Sequence, residues 1–334
     1  MLSTSCFAIG LTTSLRKVFT FALLALTFQV LADESYPTRA VKFVIPFPPG
    51  GGIDVLVRAL GKELSIKWRQ PVIIENKAGA ATFVGAESVA RAPNDGYTLL
   101  ATTDPTFTSN RHLFAKLPYD PDKSFEPVIQ MVKGDNIIFV HPTVPANDLK
   151  ELVGMMRRKD VRLSFGSYGN GTQPHLVFGY LNKRENLDML HVPYKGIAPV
   201  MTAVLAKEVD LSLASAGVAG EMIKSGRLRP IAITGARRHS MFPNVPTSQE
   251  QGFGYLRSFI WYGLFAPAGT PESIVTKINR DIASVLKESD FAEKQIFSKG
   301  LAVMAGSPRE FAEIIREDSA LVGEMVKAAE VKPE

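Results

Sequence analysis

Val41 to Ile45 is a short apolar run, and Pro46-Phe47-Pro48-Pro49-Gly50-Gly51-Gly52 breaks it. From Ile53 the apolar residues recur at Leu56, Leu60 and Leu64, with Lys62, Glu63 and Lys67 left for the wet face. That change of period predicts a strand, a glycine-rich loop and an amphipathic helix. Pro71 to Glu75 reads as a second strand, Asn76 to Thr82 as its loop and Phe83 to about Ala92 as a helix. Asn94-Asp95-Gly96 is a turn signal, and Tyr97 to Ala101 is a third strand ending in Thr102-Thr103-Asp104-Pro105. Three β-then-α units in succession predict a parallel sheet flanked by helices, with ligands outside the carboxyl ends of its strands. All three loops fall at that edge.

The pattern restarts after the two-proline segment Leu117-Pro118-Tyr119-Asp120-Pro121. Ile137 to Val140 is apolar, and Asn147 or Asp148 caps a helix whose buried face is Leu149, Leu152, Val153 and Met156. Arg162 to Ser167 is strand-like and runs into Gly166-Ser167-Tyr168-Gly169-Asn170-Gly171-Thr172, with a helix from Pro174 through Leu181. A strand, a glycine-rich polar loop and a helix thus occur a second time. Strands at Met189 to Val192, Val209 to Leu213 and Leu228 to Thr234 alternate with helices at Ala198 to Lys207 and Gly217 to Ser225. Thr247-Ser248-Gln249-Glu250 has capping-box spacing and predicts a short helix ended by Gly252. Ser258 to Phe265 is an aromatic-rich strand; a long helix carrying Ile274, Ile278, Ile282 and Leu286 follows. Ser307-Pro308-Arg309-Glu310 opens a C-terminal helix.

The N-terminus changes the picture of where the chain works. Arg16 and Lys17 flank the apolar stretch Val18 to Leu31, too short for a comfortable membrane span, and Val30-Leu31-Ala32 offers small residues for cleavage. Residues 1–32 therefore read as a signal peptide for export to the periplasm. The single cysteine, Cys6, lies upstream of the apolar stretch, so neither a lipid-anchor cysteine nor a disulfide is expected in the mature chain. Cleavage removes Arg16, Lys17 and no acid, which takes the net charge from +5 to +3 over the remaining 302 residues. That mild excess is dispersed and gives no nucleic-acid footprint. A chain of this length exceeds one ordinary core and predicts two domains.

Glycine-rich loops between strands and helix N-termini expose backbone N–H groups at the positive end of a helix dipole, an arrangement suited to anions. On the first loop alone, an unliganded strand-to-helix turn is an equal reading. Neither loop completes a P-loop or a dinucleotide fingerprint, so phosphate cofactors are set aside. Ser167 with His175 eight residues on suggests a secreted serine hydrolase, but Gly-x-Ser-x-Gly is absent. His112, His141, His175, His191 and His239 are dispersed, without metal-ligand spacing. No cofactor or metal is expected. Two α/β lobes facing each other would place loop amides, Ser167, Thr172, Thr102 and Thr103 around an interdomain cleft, where carboxylates can be held by amides without burying lysines.

In family order, the chain resembles the Bug-type periplasmic solute-binding receptors of tripartite tricarboxylate transporters. The matching residues are Pro46-Phe47-Pro48-Pro49-Gly50-Gly51 with Asp54 and Arg58, Asn76 to Gly85, Asp95-Gly96-Tyr97-Thr98-Leu99 and Leu117-Pro118-Tyr119-Asp120. Further matches are Gly166-Ser167, Gly169-x-Gly171-Thr172, His175-Leu176, Val192-Pro193-Tyr194-Lys195-Gly196, Val245-Pro246-Thr247, Trp261-Tyr262-Gly263 and Ala266 to Pro271. The resemblance implies an α/β, two-lobed periplasmic binding protein of Venus-flytrap type, with a central sheet and flanking helices in each lobe. Domain 1 would comprise 33–134 and 255–334, and domain 2 would comprise 135–254. It would act as a non-enzymatic monomer that closes on a small carboxylate and delivers it to membrane permease subunits. A receptor that presents ligand to a sensor protein is the alternative. The implied ligand-binding residues are Phe47, Pro48, Pro49, Gly50, Gly51, Asp54, Ala80, Thr102, Thr103, Asp104, Ser167, Gly169, Gly171, Thr172, His175, Tyr194 and Ser215.

Two departures from the family pattern stand out. Ala81-Thr82 replaces a usual glycine pair, which narrows the approach of the second loop. Ala214-Ser215 stands where an acid is often found. Asp104 is itself unusual at an anion site, and it reads either as a helix cap or as the partner of an amino or other donor group on the ligand.

Overall fold

Strand β4 (Phe125–Val140) is the spine of the molecule, sixteen residues long and about 50 Å at 3.3 Å per residue. In the computed structural model, which describes residues 36–333, its first part, Phe125 to Asp135, pairs antiparallel with β9 (Phe259–Pro267). Its last part, Asn136 to Val140, pairs with β7 (Leu211–Ser215) on one side, and Ile137 to Val140 with β8 (Arg229–Ile233) on the other. Beyond β9 lie β3 (Thr98–Thr103), β1 (Val41–Ile45) and β2 (Val72–Asn76), with β1 parallel to both β2 and β3. Beyond β7 lie β5 (Ser164–Ser167) and β6 (Leu190–Pro193), again parallel. The short β10 (Ala302–Val303) pairs with β4 as well. From Ala40 onward the chain forms one unit.

The expected parallel β-α units are present in both halves, joined by antiparallel strands. The extent of β4 was not foreseen, because only Ile137 to Val140 carries a continuous apolar run. Upstream, Pro127, Lys133, Gly134 and Asp135 interrupt the pattern, and the ladder with β9 slips register between Pro127 and Ile129 and again between Gln130 and Val132. A proline in a strand is tolerated at such irregularities. The capping box at Thr247 also forms, with Glu250 N–H donating to Thr247 Oγ1 and Thr247 N–H donating to Glu250. No helix grows from it. Ser248 N–H donates to Ile233 O and Gln251 Nε2 donates to Ile231 O, so the turn is spent on covering the edge of β8.

Helix α1 (Gly52–Trp68) buries Ile53, Leu56, Leu60 and Leu64, the stripe its spacing predicts. Helices α2 (Phe83–Ala90) and α3 (Asn110–Leu113) complete the first half before β4. In the second half α4 (Leu149–Arg157) is capped by Asp148 and buries Leu149, Leu152, Val153 and Met156. There follow α5 (Gln173–Glu185), α6 (Ile197–Leu205) and α7 (Ala216–Lys224). After β9 come α8 (Glu272–Leu286), α9 (Ser289–Gln295) and α10 (Pro308–Ala328), the last with a complete capping box on Ser307 and Glu310.

An aromatic core in the first half packs Phe107, Phe125, Trp261, Phe265 and Phe311 around β9. The second half has apolar clusters around Phe165, Phe178 and Leu213 and around Phe139, Val200 and Ile233. Helix α10 ties the halves together: Phe311 and Ile315 join the first core, while Met325 and Val326 join the second. Among the described residues no helix is long and apolar enough to cross a membrane. The predicted signal peptide lies outside the described residues.

Candidate functional site

The first glycine-rich loop leaves β1 and enters α1 through Gly51, an N-cap with no side-chain hydrogen bond. Pro48 to Gly52 is exposed and Phe47 half-buried. Asp54 lies beneath the loop at 3 % exposure. Its carboxylate accepts from Gly50 N–H at 2.9 Å, from Arg58 Nε at 3.0 Å and from Asn76 Nδ2 at 2.9 Å. Asn76 Nδ2 also donates to Phe47 O, and Arg58 Nη2 donates to Asn76 Oδ1. Burial alone would raise the Asp54 pKa, but the bonds from Arg58, Gly50 and Asn76 outweigh it and hold the group below the usual range. Asp54 is thus spent inside the protein, as the fastener that fixes the loop. Asp54→Ala is expected to cost about 2 kcal/mol of stability in urea unfolding, with Asp54→Asn recovering part by keeping an acceptor for Gly50.

The second loop makes a short turn, Ala80–Thr82, in which Ala81 (φ 50°) and Thr82 (φ 80°) are left-handed. Glycine meets such angles without strain, whereas each L side chain here costs about 1 kcal/mol. The departure from the family's glycine pair is therefore a backbone strain, and Asn110 braces it by donating to Ala81 O at 2.8 Å and to Thr82 Oγ1 at 3.3 Å. At the third loop, Thr102 Oγ1 lies 2.6 Å from Thr106 Oγ1, both buried, so the Thr102 hydroxyl is engaged internally. Thr103 pairs in the ladder with Tyr262, whose hydroxyl oxygen would lie 2.6 Å from a Cβ placed on Gly52. Only glycine lets the first loop pass over Tyr262 there.

Asp104 opens the turn Asp104–Thr106 at the end of β3 and is 6 % exposed. Oδ2 accepts from Gln173 Nε2 at 3.3 Å, and Oδ1 has no hydrogen-bond partner among the described residues. Burial drives its pKa well up and the Asp318 charge adds to that, against opposing bonds from the Trp261 and Asp104 amides and Gln173. Gln173 is the connector here: its Nε2 also donates to Phe259 O at 3.0 Å, and its Oε1 accepts from Asn136 Nδ2 at 2.8 Å. One side chain at the start of α5 thereby bonds to both crossing strands and to the first half.

In the second half, Ser167 is fully buried and its Oγ lies 2.6 Å from His191 Nε2 and 3.0 Å from Gly169 O. Thr172 Oγ1 donates to Gly169 O at 2.6 Å, and Gly171 N–H donates to His175 Nδ1 at 3.0 Å. The rings of His175 and His191 stack with centroids 3.9 Å apart. Burial, then the neighbouring His175, pushes the His191 pKa down to about 4, and burial lowers that of His175. The Ser167–His175 pairing considered from sequence does not occur; His191 is the partner, and Ser167 is sealed from solvent. A hydroxyl with no route to substrate is a poor nucleophile, and the pair acts as a buckle for the glycine loop. Tyr194 is half-buried and donates its N–H to Ser167 O, while Ser215 is the N-cap of α7.

A cavity of about 360 Å³ lies where these parts meet. Ala81 and Asp104 line it from the first half, Tyr168 and Asn170 to Gln173 from the second, and Arg257 to Ile260 from the crossing segment. Leu113, Phe114, Leu176, Val177, Val322 and Met325 form apolar walls, and Asp318 of α10 reaches it too. Of the expected ligand residues, Asp104, Gly171 and Thr172 line this space. Phe47 to Gly51, Asp54, Thr102, Thr103, Ser167, Gly169, His175, Tyr194 and Ser215 do not, and Ala80 precedes the lining residue Ala81. Asp318 was missed, although the sequence held a signal: an acid set in the apolar stripe Phe311, Ile315, Val322, Met325. Among the described residues no cluster of His, Cys, Asp and Glu could hold a metal.

Residues 56–331 match the family model described as the tripartite tricarboxylate transporter family receptor. A UPF0065 protein from the tcbD-tcbE intergenic region of Pseudomonas sp. (strain P51) is 32% identical over 289 residues, 86% of this chain and 85% of the relative. The R. palustris protein Rpa4515, solved with adipate, is 29% identical with a TM-score of 0.74, covering 90% of this chain and 100% of that one. MatC from Rhodopseudomonas palustris, solved with bound malate, is 30% identical with a TM-score of 0.70, covering 87% of this chain and 100% of that one.

Proposed function

The chain belongs to the tripartite tricarboxylate transporter receptor family, a family of non-enzymatic solute-binding receptors, and from that premise we propose that it captures a small carboxylate between its two halves and delivers it to membrane permease subunits. The halves on either side of Asp135 in β4 are the two lobes in this reading, with the return near Gly254, and the working compartment is the periplasm. The observation that carries it is the cavity, which takes the N-terminus of the thirteen-residue helix α5 from one half and Ala81 and Asp104 from the other. The amides at that helix start other than Gly171 N–H and Thr172 N–H, which are taken by His175 and Gly169, suit a carboxylate, and relatives of the same fold hold adipate and malate. In this reading the exposed first loop, fixed by Asp54 and stiffened by Pro48 and Pro49, lies outside the cavity and reaches ligand only when the halves close.

A panel of mono- and dicarboxylates in thermal-shift assays, followed by calorimetry, tests the proposal. At least one acid is expected to raise the melting temperature and bind in the micromolar range or tighter, and to be recovered unchanged. Absence of any binding carboxylate, or conversion of a bound one to product, would overturn it.

A further inference from the structure

We propose that the cavity receives the protonated amine of an aminocarboxylate with an apolar body, and that Asp104 is the group that selects it. This rests on the receptor reading above and narrows it from carboxylates in general to zwitterionic solutes.

Four observations converge on it. Asp104 is 94% buried by its 6 % exposure, lines the cavity and carries an oxygen, Oδ1, with no partner among the described residues. An orphaned buried carboxylate oxygen is costly, and a donor supplied by the ligand removes that cost. Arg257 and Lys133 lower the pKa of Asp318, whereas the charge that acts on Asp104 is that of Asp318, which raises its pKa. Asp104 thus meets the charge of another acid, and a ligand ammonium would offset it. The loop Asn170 to Gln173, at the start of α5, borders the same cavity and offers the carboxylate end a helix N-terminus. The rest of the lining includes Leu113, Phe114, Leu176, Val322 and Met325, so the body of the ligand meets hydrocarbon.

Gln173 gives the selection a consequence. Its Nε2 holds Asp104 Oδ2 while its Oε1 and Nε2 also hold Asn136 and Phe259 on the crossing strands. An ammonium drawn to Asp104 Oδ1 completes the carboxylate's bonding without displacing Gln173, so ligand and crossing strands are held by one network.

The test uses the full mature chain and matched probes: linear aminocarboxylates of four to eight carbons and apolar α-amino acids, each against its des-amino analogue and the dicarboxylate of equal length. Calorimetry is expected to show at least one aminocarboxylate binding about ten-fold or more tightly than its des-amino analogue, about 1.4 kcal/mol. Asp104→Asn is expected to abolish that ratio, lowering the affinity for the preferred aminocarboxylate about ten-fold toward that of its des-amino analogue. Because the ratio is first measured in the unsubstituted protein, a variant that folds poorly does not decide the matter. Dicarboxylates or des-amino acids binding as tightly as the aminocarboxylates would overturn this inference and leave the receptor reading standing. Failure of every carboxylate to bind would overturn both.

Discussion

Trp261→Ala is expected to lower the free energy of unfolding by about 3–5 kcal/mol, the range for deleting a large buried aromatic. Trp261 is fully buried near the start of β9, opposite Lys133 of β4. Its ring meets Phe311 edge-on at 5.1 Å between centroids and Phe265 at 6.2 Å. Deletion thus opens a void between the sheet and α10, where the neighbours are held by their own strand and helix and cannot collapse into it. Against a typical total of about 5–15 kcal/mol, that is a large share. The indole also donates from Nε1 to Asp318 Oδ2 at 3.1 Å, so Trp261→Phe separates the two parts: it keeps most of the ring and loses the donor, at about 1–2 kcal/mol. Urea titrations of the three proteins give the comparison. A loss below about 1 kcal/mol for the alanine variant would mean that the aromatic cluster is not the core of this half.

The two tryptophans are used alike. Trp68 Nε1 donates to Asp281 of α8 at 2.7 Å, and Trp261 Nε1 to Asp318 of α10. In each case an acid occupies an apolar stripe of a C-terminal helix: Asp281 between Ile278 and Ile282, Asp318 between Ile315 and Val322. Burying an indole requires a partner for its N–H, and here that partner is a carboxylate delivered by a distant helix. The arrangement clamps β9 and α1 to the end of the chain.

Local signals account for what the sequence made legible. The glycine-rich entrances to α1 and α5, the stripes of α1 and α4 and the capping box of α10 depend on residues within one or two turns of each other, so spacing reveals them. The first part of β4 depends instead on β9, more than a hundred residues away, and its own residues Pro127 and Gly134 argue against a strand. Thr247 and Glu250 formed their reciprocal bonds, yet the next residues were claimed by β8 and the helix did not propagate. The site divides in the same way. Asp104 stood out as an acid at the end of a strand, but its partner Gln173 and its neighbour Asp318 come from 69 and more than 200 positions further along. Ser167 was paired by proximity in sequence with His175, whereas the parallel ladder between β5 and β6 delivers His191.

Asp318→Asn is expected to gain stability relative to the unsubstituted protein as pH rises from about pH 4 to about pH 6. Burial raises the Asp318 pKa to about 6, against the Trp261 bond and the charges of Arg257 and Lys133, which pull it down. In the unfolded chain the same carboxyl ionises near 3.9, so the gap corresponds to about 3 kcal/mol. Below about pH 4 the group is protonated in both states and contributes no difference. As pH rises from there, the unfolded chain releases the proton while the folded protein keeps it, and unfolding gains in favour until the folded carboxyl also ionises near pH 6. Asp54 and Glu75, whose pKa values are lowered, act with the opposite sign at lower pH, the lowered pKa values of His191 and His175 act with the opposite sign in this window, and Asp104 acts in the same direction as Asp318. The difference between wild type and Asp318→Asn cancels the contributions of Asp54, Glu75 and the histidines, while Asp104 loses the repulsion of Asp318 in the variant, which adds to the gain. Asparagine keeps an oxygen for the Trp261 N–H, so the variant should gain on the wild type as pH rises through this window and hold the gain above it. Urea unfolding at pH 4, 5, 6 and 7 would measure this, and a constant difference across the series would mean that Asp318 ionises normally in the folded protein.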